Sequence, residues 1–228
     1  MATYRDMKEL MAQALQEDRI KSMIPEFLRQ GQVMLERRLR IRSMETLYIS
    51  SQQDPVVELA LGVKSIASPS DYLEMIFFSL VDQTSKMRYH IYDRKNARYH
   101  IDDTNYGFAD TTQTGVPSII TRIGSTVYFN RILDKDYDYE FCYFKKLTTL
   151  TEEADSNWWT TDASEALLYA SLTCAIPLLP LREVKNGYAI DPRISQWQKM
   201  SEYLIRELIG NDNRERLSGA PKRVRYQD

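Results

Sequence analysis

Two histidines stand in matching surroundings, Arg88-Tyr89-His90-Ile91-Tyr92-Asp93 and Arg98-Tyr99-His100-Ile101-Asp102-Asp103. Imidazole is a common metal ligand, so this echo is the first place to look for an ion. With Arg94-Lys95-Asn96-Ala97 as a four-residue turn, Asp93 faces Arg98 and His90 faces Ile101. Neighbours along a strand alternate faces, so the two rings then point to opposite sides and share no metal. An odd-length turn would bring them together; a solvated hairpin needs no ion at all. Asp134, Asp136 and Asp138 have the spacing that opens an EF-hand loop. That loop needs Gly next and a closing Glu, where Tyr139 and Lys145 stand. The pattern reads better as an acidic turn running into a strand.

Nucleophilic chemistry fares no better. There is no P-loop, H-E-x-x-H, G-x-S-x-G or G-x-G-x-x-G motif. Cys142 and Cys174 form no C-x-x-C pair, and each lies in an apolar stretch, so both read as buried thiols. Two histidines in one hairpin and two distant cysteines leave no nucleophile–base pair to assemble. Asp and Glu are abundant, but no pair stands out. The expectation is a protein that is not an enzyme, with no catalytic, metal-ligating or cofactor-binding residues and no cofactor.

Charge offers two further features. Arg37, Arg38, Arg40 and Arg42 crowd one short stretch. They would suit nucleic acid or an acidic partner, or they complement the negative end of a helix dipole, which prefers cations. Over 211–228, Arg214, Arg216, Lys222, Arg223 and Arg225 stand against Asp212, Glu215 and Asp228, a net of +2. The whole chain carries −2, which argues against a surface built to grip nucleic acid throughout. The fifteen tyrosines hint at surfaces that meet partners, since a phenol joins an apolar body to a polar tip.

The elements that must position these groups follow from periodicity. Tyr4, Met7, Leu10, Met11, Ala14 and Leu15 recur at helical spacing over 4–17. A second helix over 25–41 starts at Pro25 and carries Phe27, Leu28, Gly31, Met34, Leu35 and Leu39 on one face. Gly31 on that face would let another helix approach closely. Short strands are expected over 45–50, 56–61, 72–80, 88–92, 97–101, 118–122, 126–131 and 137–144. In the last, Tyr137, Tyr139, Phe141 and Tyr143 alternate with Asp138, Glu140 and Cys142. The polar stretch 102–114 reads as a loop. Asp162-x-x-Glu165 before an apolar run reads as a capping box opening a central helix over 163–177. A last helix over 192–209 carries Ile194, Trp197, Met200, Leu204 and Leu208, with Gly210 as its stop. Met1-Ala2-Thr3-Tyr4 leads into an amphipathic segment and not a signal peptide. The longest uncharged apolar stretch, 166–181, falls short of the ~20 residues of a bilayer span and holds Pro177 and Pro180.

Two helices at each end are too few to bury their stripes alone. The economical arrangement is α+β: a four-helix bundle formed by the N- and C-terminal helices, with an inserted antiparallel β-sandwich or barrel. The expected divisions are 1–44 with 149–210 for the bundle, 45–148 for the β domain, and 211–228 as a flexible tail.

The run Glu26-Phe27-Leu28-Arg29-Gln30-Gly31-Gln32-Val33-Met34-Leu35-Glu36-Arg37-Arg38-Leu39-Arg40, followed by Ser43-Met44-Glu45, resembles the opening of the phage head-to-tail adaptor family typified by tail tubular protein A. Ser68-Pro69-Ser70-Asp71-Tyr72-Leu73-Glu74, then Gly115-Val116-Pro117 with Ile123-Gly124-Ser125-Thr126-Val127-Tyr128-Phe129, resemble that family's later steps in order. Asn157-Trp158 leading into Ala166-Leu167-Leu168-Tyr169-Ala170-Ser171-Leu172 resembles its closing helix. The stretch Asn130-Arg131-Ile132-Leu133 lacks the family's proline-rich step, and 181–190 is longer than the pattern.

The resemblance implies a virion structural protein, made in the host cytoplasm and placed in the neck or tail. It implies a ring, generally of twelve copies, between the portal protein and the tail nozzle or tail tube. Such a ring continues the channel for double-stranded DNA without specific binding, in genome retention and ejection, and has no membrane partner. In that setting Arg214, Arg216, Lys222, Arg223, Arg225 and Tyr226 are candidates for docking on the portal. Arg37, Arg40, Trp158, Trp159 and Trp197 are candidates for the subunit interface. Two rival readings are a β-sandwich module binding carbohydrate or a receptor through an exposed Tyr137–Tyr143 face, and a metal-dependent phage nuclease using Asp102, Asp103, Asp134 or Asp136.

Overall fold

The computed structural model describes residues 2–53, 58–93, 113–179, 182–184, 187–189 and 191–218. Among these residues the protein is α+β, with five α-helices, a curled seven-stranded sheet and a two-stranded ribbon. It divides into two compact units, Met1–Ser43 with Leu147–Asp228, and Met44–Lys146.

In the helical unit, α1 (Tyr4–Leu15) opens on a capping box. The Thr3 hydroxyl accepts from the Asp6 N–H, and the Asp6 carboxylate accepts from the Thr3 N–H. Tyr4, Met7, Met11 and Leu15 are its buried stripe. Leu10, expected on that stripe, is 45% exposed, because it lies ~100° round the helix from Met11, off the packed line. The helix ends at Gln16 in the left-handed region.

Helix α2 (Ile24–Arg38) places Pro25 in the first turn, where its missing N–H costs nothing. Phe27, Leu28, Gly31 and Leu35 are buried. The helix stops short of residue 41: Leu39 is extended, and the Arg40 guanidinium donates to the carbonyls of Glu36 (2.6 Å) and Leu39 (2.7 Å). A cation thus takes up the last carbonyls in place of a further turn.

The expected box at Asp162 and Glu165 does not form. A short helix α3 (Trp158–Thr161) comes first, capped reciprocally by Asn157 and Thr160, and Asp162 is its C-cap. Helix α4 (Ser164–Ala175) therefore starts from Ala163 with no side-chain cap, and a 3-10 turn, Ile176–Leu178, follows it. Ala166, Leu167, Ala170, Ser171, Leu172 and Ala175 are buried, and α4 packs against α2 and the last helix and touches α1 and α3. At its crossing with α2, a Cβ added to Gly31 would lie 2.2 Å from Ser171 Oγ and 2.8 Å from the Ser171 nitrogen, so the close approach expected at Gly31 is real.

A ribbon of β8 (Arg182–Val184) and β9 (Gly187–Ala189) follows, in the stretch longer than the family pattern. The last helix, α5 (Pro192–Ser218), runs straight through Gly210, which was expected to stop it. Gly costs about 1 kcal/mol in a helix interior, a penalty that a few side-chain contacts outweigh. Here Asp212 supplies them, accepting from the Arg42 N–H at 2.7 Å and from Arg216 at 2.6 Å. Residues 211–218, expected to begin a flexible tail, are thus helical; 219–228 lie outside the described residues. At the other end, Asp191 receives a forked pair of hydrogen bonds from Arg193, which also reaches the Ala14 carbonyl at 3.2 Å.

The β unit is one sheet in the order β1 (Glu45–Ile49), β7 (Tyr137–Lys145), β3 (Tyr72–Asp82), β4 (Arg88–Asp93), β5 (Ile119–Ile123), β6 (Thr126–Phe129), β2 (Ser65–Ala67). Tyr48, Phe141 and Phe78 lie side by side across β1, β7 and β3. The curl is visible in the rings: Phe78 on β3 is 5.8 Å from Phe129 on β6, although two strands separate them in the ladder. A flat sheet at ~4.8 Å per strand would hold them far apart. Arg122 on β5 likewise sits 4.5 Å over the Tyr72 ring on β3. Phe78, Leu80, Ile120, Val127, Phe129, Leu133, Tyr137 and Phe141 fill the space enclosed.

The sheet is mixed where an antiparallel one was expected. Tyr92 and Asp93 pair with Ile119 and Ile120 in parallel. Parallel neighbours need a long crossover, and the stretch between β4 and β5 supplies the length. Strand β2 carried too short a pattern to be read. The strand expected over 56–61 reduces to a bridge between Leu59 and Tyr137, with 54–57 outside the described residues. The strand over 97–101 and most of the loop over 102–114 also lie outside them.

Candidate functional site

The residues singled out for chemistry do not converge. His90 is exposed on β4, its Nδ1 3.0 Å from Ser79 Oγ on the neighbouring strand. His100, Asp102 and Asp103 lie outside the described residues. The three aspartates spaced like an EF-hand opening diverge. Asp134 accepts from the Tyr137 hydroxyl at 2.8 Å, Asp136 from the Leu61 N–H at 2.7 Å, and Asp138 from Gln83 at 3.4 Å. Among the described residues no group of three His, Cys, Asp or Glu could hold a metal ion. Cys142 and Cys174 are free thiols, half-buried where full burial was expected, and loss of water pushes both above the ordinary thiol range.

The aromatic face of β7 points inward. Tyr137, Phe141 and Tyr143 are buried, and Tyr139 packs against the same core. Burial together with a hydrogen bond to Asp71 pushes the Tyr143 hydroxyl up to about 12. A concave row of exposed rings, the mark of the sugar-binding alternative, is not on this face.

The basic patch resolves into separate duties. Arg38 forks onto Glu202 at 2.6 and 2.9 Å, joining α2 to α5. Arg40 takes up helix-end carbonyls, and the Arg42 N–H binds Asp212. Arg37 is exposed and lines a groove of about 460 Å³ on α2 with Arg29, Val33 and Met34. Among the tryptophans, Trp158 is half-buried, Trp159 is fully buried against it in an edge-to-face pair, and Trp197 is 6% exposed beneath Arg193. Trp159 and Trp197 therefore pack their own unit and present no indole to a neighbour, a correction to their place among the interface candidates. Arg214 and Arg216 are exposed on the last turns of α5; Lys222, Arg223, Arg225 and Tyr226 lie outside the described residues.

Two features escaped the sequence reading. Gln32 and Glu36 are buried on α2 and hold the segment that follows β7. The Glu36 carboxylate accepts from Gln32 (2.9 Å) and from the Leu147 N–H (3.0 Å), while Gln32 donates to the Leu147 carbonyl (3.1 Å). Asn157 adds a bond to the Thr148 carbonyl at 2.7 Å. Their signal was polar residues at i and i+4 within an apolar stripe, where buried polar groups must find partners. The second feature is a groove of about 340 Å³ between the first turn of α4 and the second half of α5. Leu204 and Leu208 lie in it, and Asp162, Glu165 and Glu207 are exposed along it.

Among the described residues, then, the side chains singled out for chemistry brace turns, helix ends and the aromatic core. No curated protein matches the chain. The family model described as SU10 adaptor protein matches residues 2–225, so the chain belongs to that family of phage adaptors. It is a component of the virion that meets other capsid or tail parts. No helix among the described residues is long and apolar enough to cross a membrane.

Proposed function

We propose that the protein is a non-enzymatic subunit of a head-to-tail ring, about twelve copies round, between the portal vertex and the tail nozzle or tube. The ring continues the channel through which double-stranded DNA is retained and ejected. The match of the adaptor family over almost the whole chain is the observation that supports this reading. A ring uses two different faces of each subunit, and a lumen that lets DNA slide must not be strongly basic. The net charge of −2 is compatible with that requirement. In this reading α1, α2, α4 and α5 act as a bundle and the curled sheet as an inserted β domain. Arg37, Arg40 and Trp158 lie toward a neighbouring subunit, and Arg214 and Arg216 at the end of α5, with Lys222, Arg223, Arg225 and Tyr226 beyond it, dock on the portal.

Mass photometry tests the proposal on the purified protein, alone and mixed with portal rings. A species of portal plus about a dozen subunits is expected in the mixture. A mixture in which the two masses never combine refutes it. Deleting 219–228, which leaves α5 and Asp212 in place, should weaken the complex, and unchanged portal binding after the deletion would remove the tail from the interface.

A further inference from the structure

The groove between α4 and α5 has a particular chemistry. Ala166, Leu204 and Leu208 give it apolar lining, and the carboxylates of Asp162, Glu165 and Glu207 border it. None of the three makes an ion pair with a described cation; Asp162 accepts only from the hydroxyl of its neighbour Thr161. The first turn of α4 lacks a side-chain cap, so backbone donors also face this region without a capping oxygen. Apolar lining, backbone donors and a negative border together fit a short basic peptide. Its carbonyls meet the donors, its cations meet the carboxylates, and its apolar side chains meet the leucines.

We infer that the occupant is the protein's own segment Lys222-Arg223-Val224-Arg225-Tyr226, folded back onto the groove of the same subunit before it meets any other virion part. The segment carries three cations within four positions, with Val224 and Tyr226 to supply apolar contact. The distances agree. At ~1.5 Å per helical residue, Asn211 lies about 10 Å and Leu204 about 21 Å before the end of α5. At ~3.3 Å per extended residue, a chain that reverses over 219–221 reaches back about 13 Å by Arg225 and about 17 Å by Tyr226, past Asn211 to the level of Leu208 and Glu207. Gly219 and Pro221 stand where the reversal must occur, residue types that end helices and turn chains. A tail held in this way is kept from premature contacts, and a partner must compete with the groove to capture it. The inference goes beyond the ring reading and does not depend on it.

Hydrogen exchange on the full-length protein alone, read by mass spectrometry over 219–228, tests this. Amides of 222–226 are expected to exchange at least fivefold more slowly than in the free peptide of the same sequence. The charge reversals Glu165→Lys and Glu207→Lys together should abolish that protection. Adding Arg223→Glu and Arg225→Glu to the reversed protein should restore it, which a merely unfolded variant would not do. Exchange at the free-peptide rate in the native protein, or protection indifferent to the reversals, overturns the inference. Protection that grows with protein concentration overturns it too, since the groove would then belong to a second copy. No portal is present in these measurements, so their failure leaves the ring reading standing and the mixed-mass experiment still decides that.

Discussion

Replacing Gly31 by alanine should destabilise the helical unit although alanine is the better helix former. The new methyl carbon would lie 2.2 Å from Ser171 Oγ, 2.8 Å from the Ser171 nitrogen and 2.9 Å from its Cα. The hydroxyl could rotate away; the backbone of α4 cannot, because α4 is packed on α2, α5, α1 and α3. Overpacking of this kind costs about 1–3 kcal/mol, and a clash with backbone belongs at the upper end. Propensity returns about 1 kcal/mol. The net loss is about 2 kcal/mol, or ~4–8 °C in Tm for a chain of this size.

Gly210 supplies the control. A Cβ there meets nothing within 4 Å, so Gly210→Ala should stabilise by about 1 kcal/mol and raise Tm by ~2–4 °C. Thermal melts followed by far-ultraviolet circular dichroism read both. Adding Ser171→Ala to Gly31→Ala should recover only part of the loss, since the clash with the Ser171 backbone remains. A Gly31→Ala melt equal to or above the native one would refute the close crossing of α2 and α4.

Glu36→Ala should strip the Leu147 N–H and the Gln32 amide of a buried acceptor and cost about 1–3 kcal/mol. Faster amide exchange at Leu147 and a lower Tm are the expected readouts. In the β unit, the Asp82 carboxyl is held well below the usual carboxylate range by Lys135 and by the Thr84 and Ser85 donors. A carboxyl lowered in this way contributes stability above its ordinary pKa near ~4, and that stability fades as pH falls toward the lower folded value. Asp82→Asn should therefore lower Tm at neutral pH, and the gap from the native protein should narrow below pH ~4. A gap constant from pH 7 to pH 2 would refute the assignment.

Several of these features were legible in the sequence because one period dominated them. The alternation of Tyr137, Phe141 and Tyr143 marks a strand with one core face, and those residues are buried. Gly31 in an apolar helical stripe marks a close crossing, and Ser171 is what it meets. Errors arose where a local signal was overruled from a distance. Gly210 reads as a helix stop until Arg42, far along the chain, reaches Asp212 just beyond it. Asp162-x-x-Glu165 reads as a capping box until Asn157 starts a helix one turn early and claims Asp162 for its end. The parallel pairing of β4 with β5 depends on the path of a long connection, which no short-range pattern encodes. For Trp159 and Trp197, residue type favoured an interface and a core equally; burial decided for the core.

The acidic residues of the β unit show why a charged sequence of this kind need not signal chemistry. A metal site requires carboxylates with free oxygens aimed at one point. Here Asp82 closes the turn after β3 through the Thr84 and Ser85 amides, and Asp136 takes the Leu61 amide. Asp134 and Asp71 hold the hydroxyls of Tyr137 and Tyr143 at the edge of the aromatic core. Each carboxylate receives a hydrogen bond from a backbone amide or a phenol, which fixes a turn or a ring. The contrast with Asp162, Glu165 and Glu207 is therefore informative. Those three border a groove with no ion pair to a described cation, the arrangement from which a basic occupant was inferred.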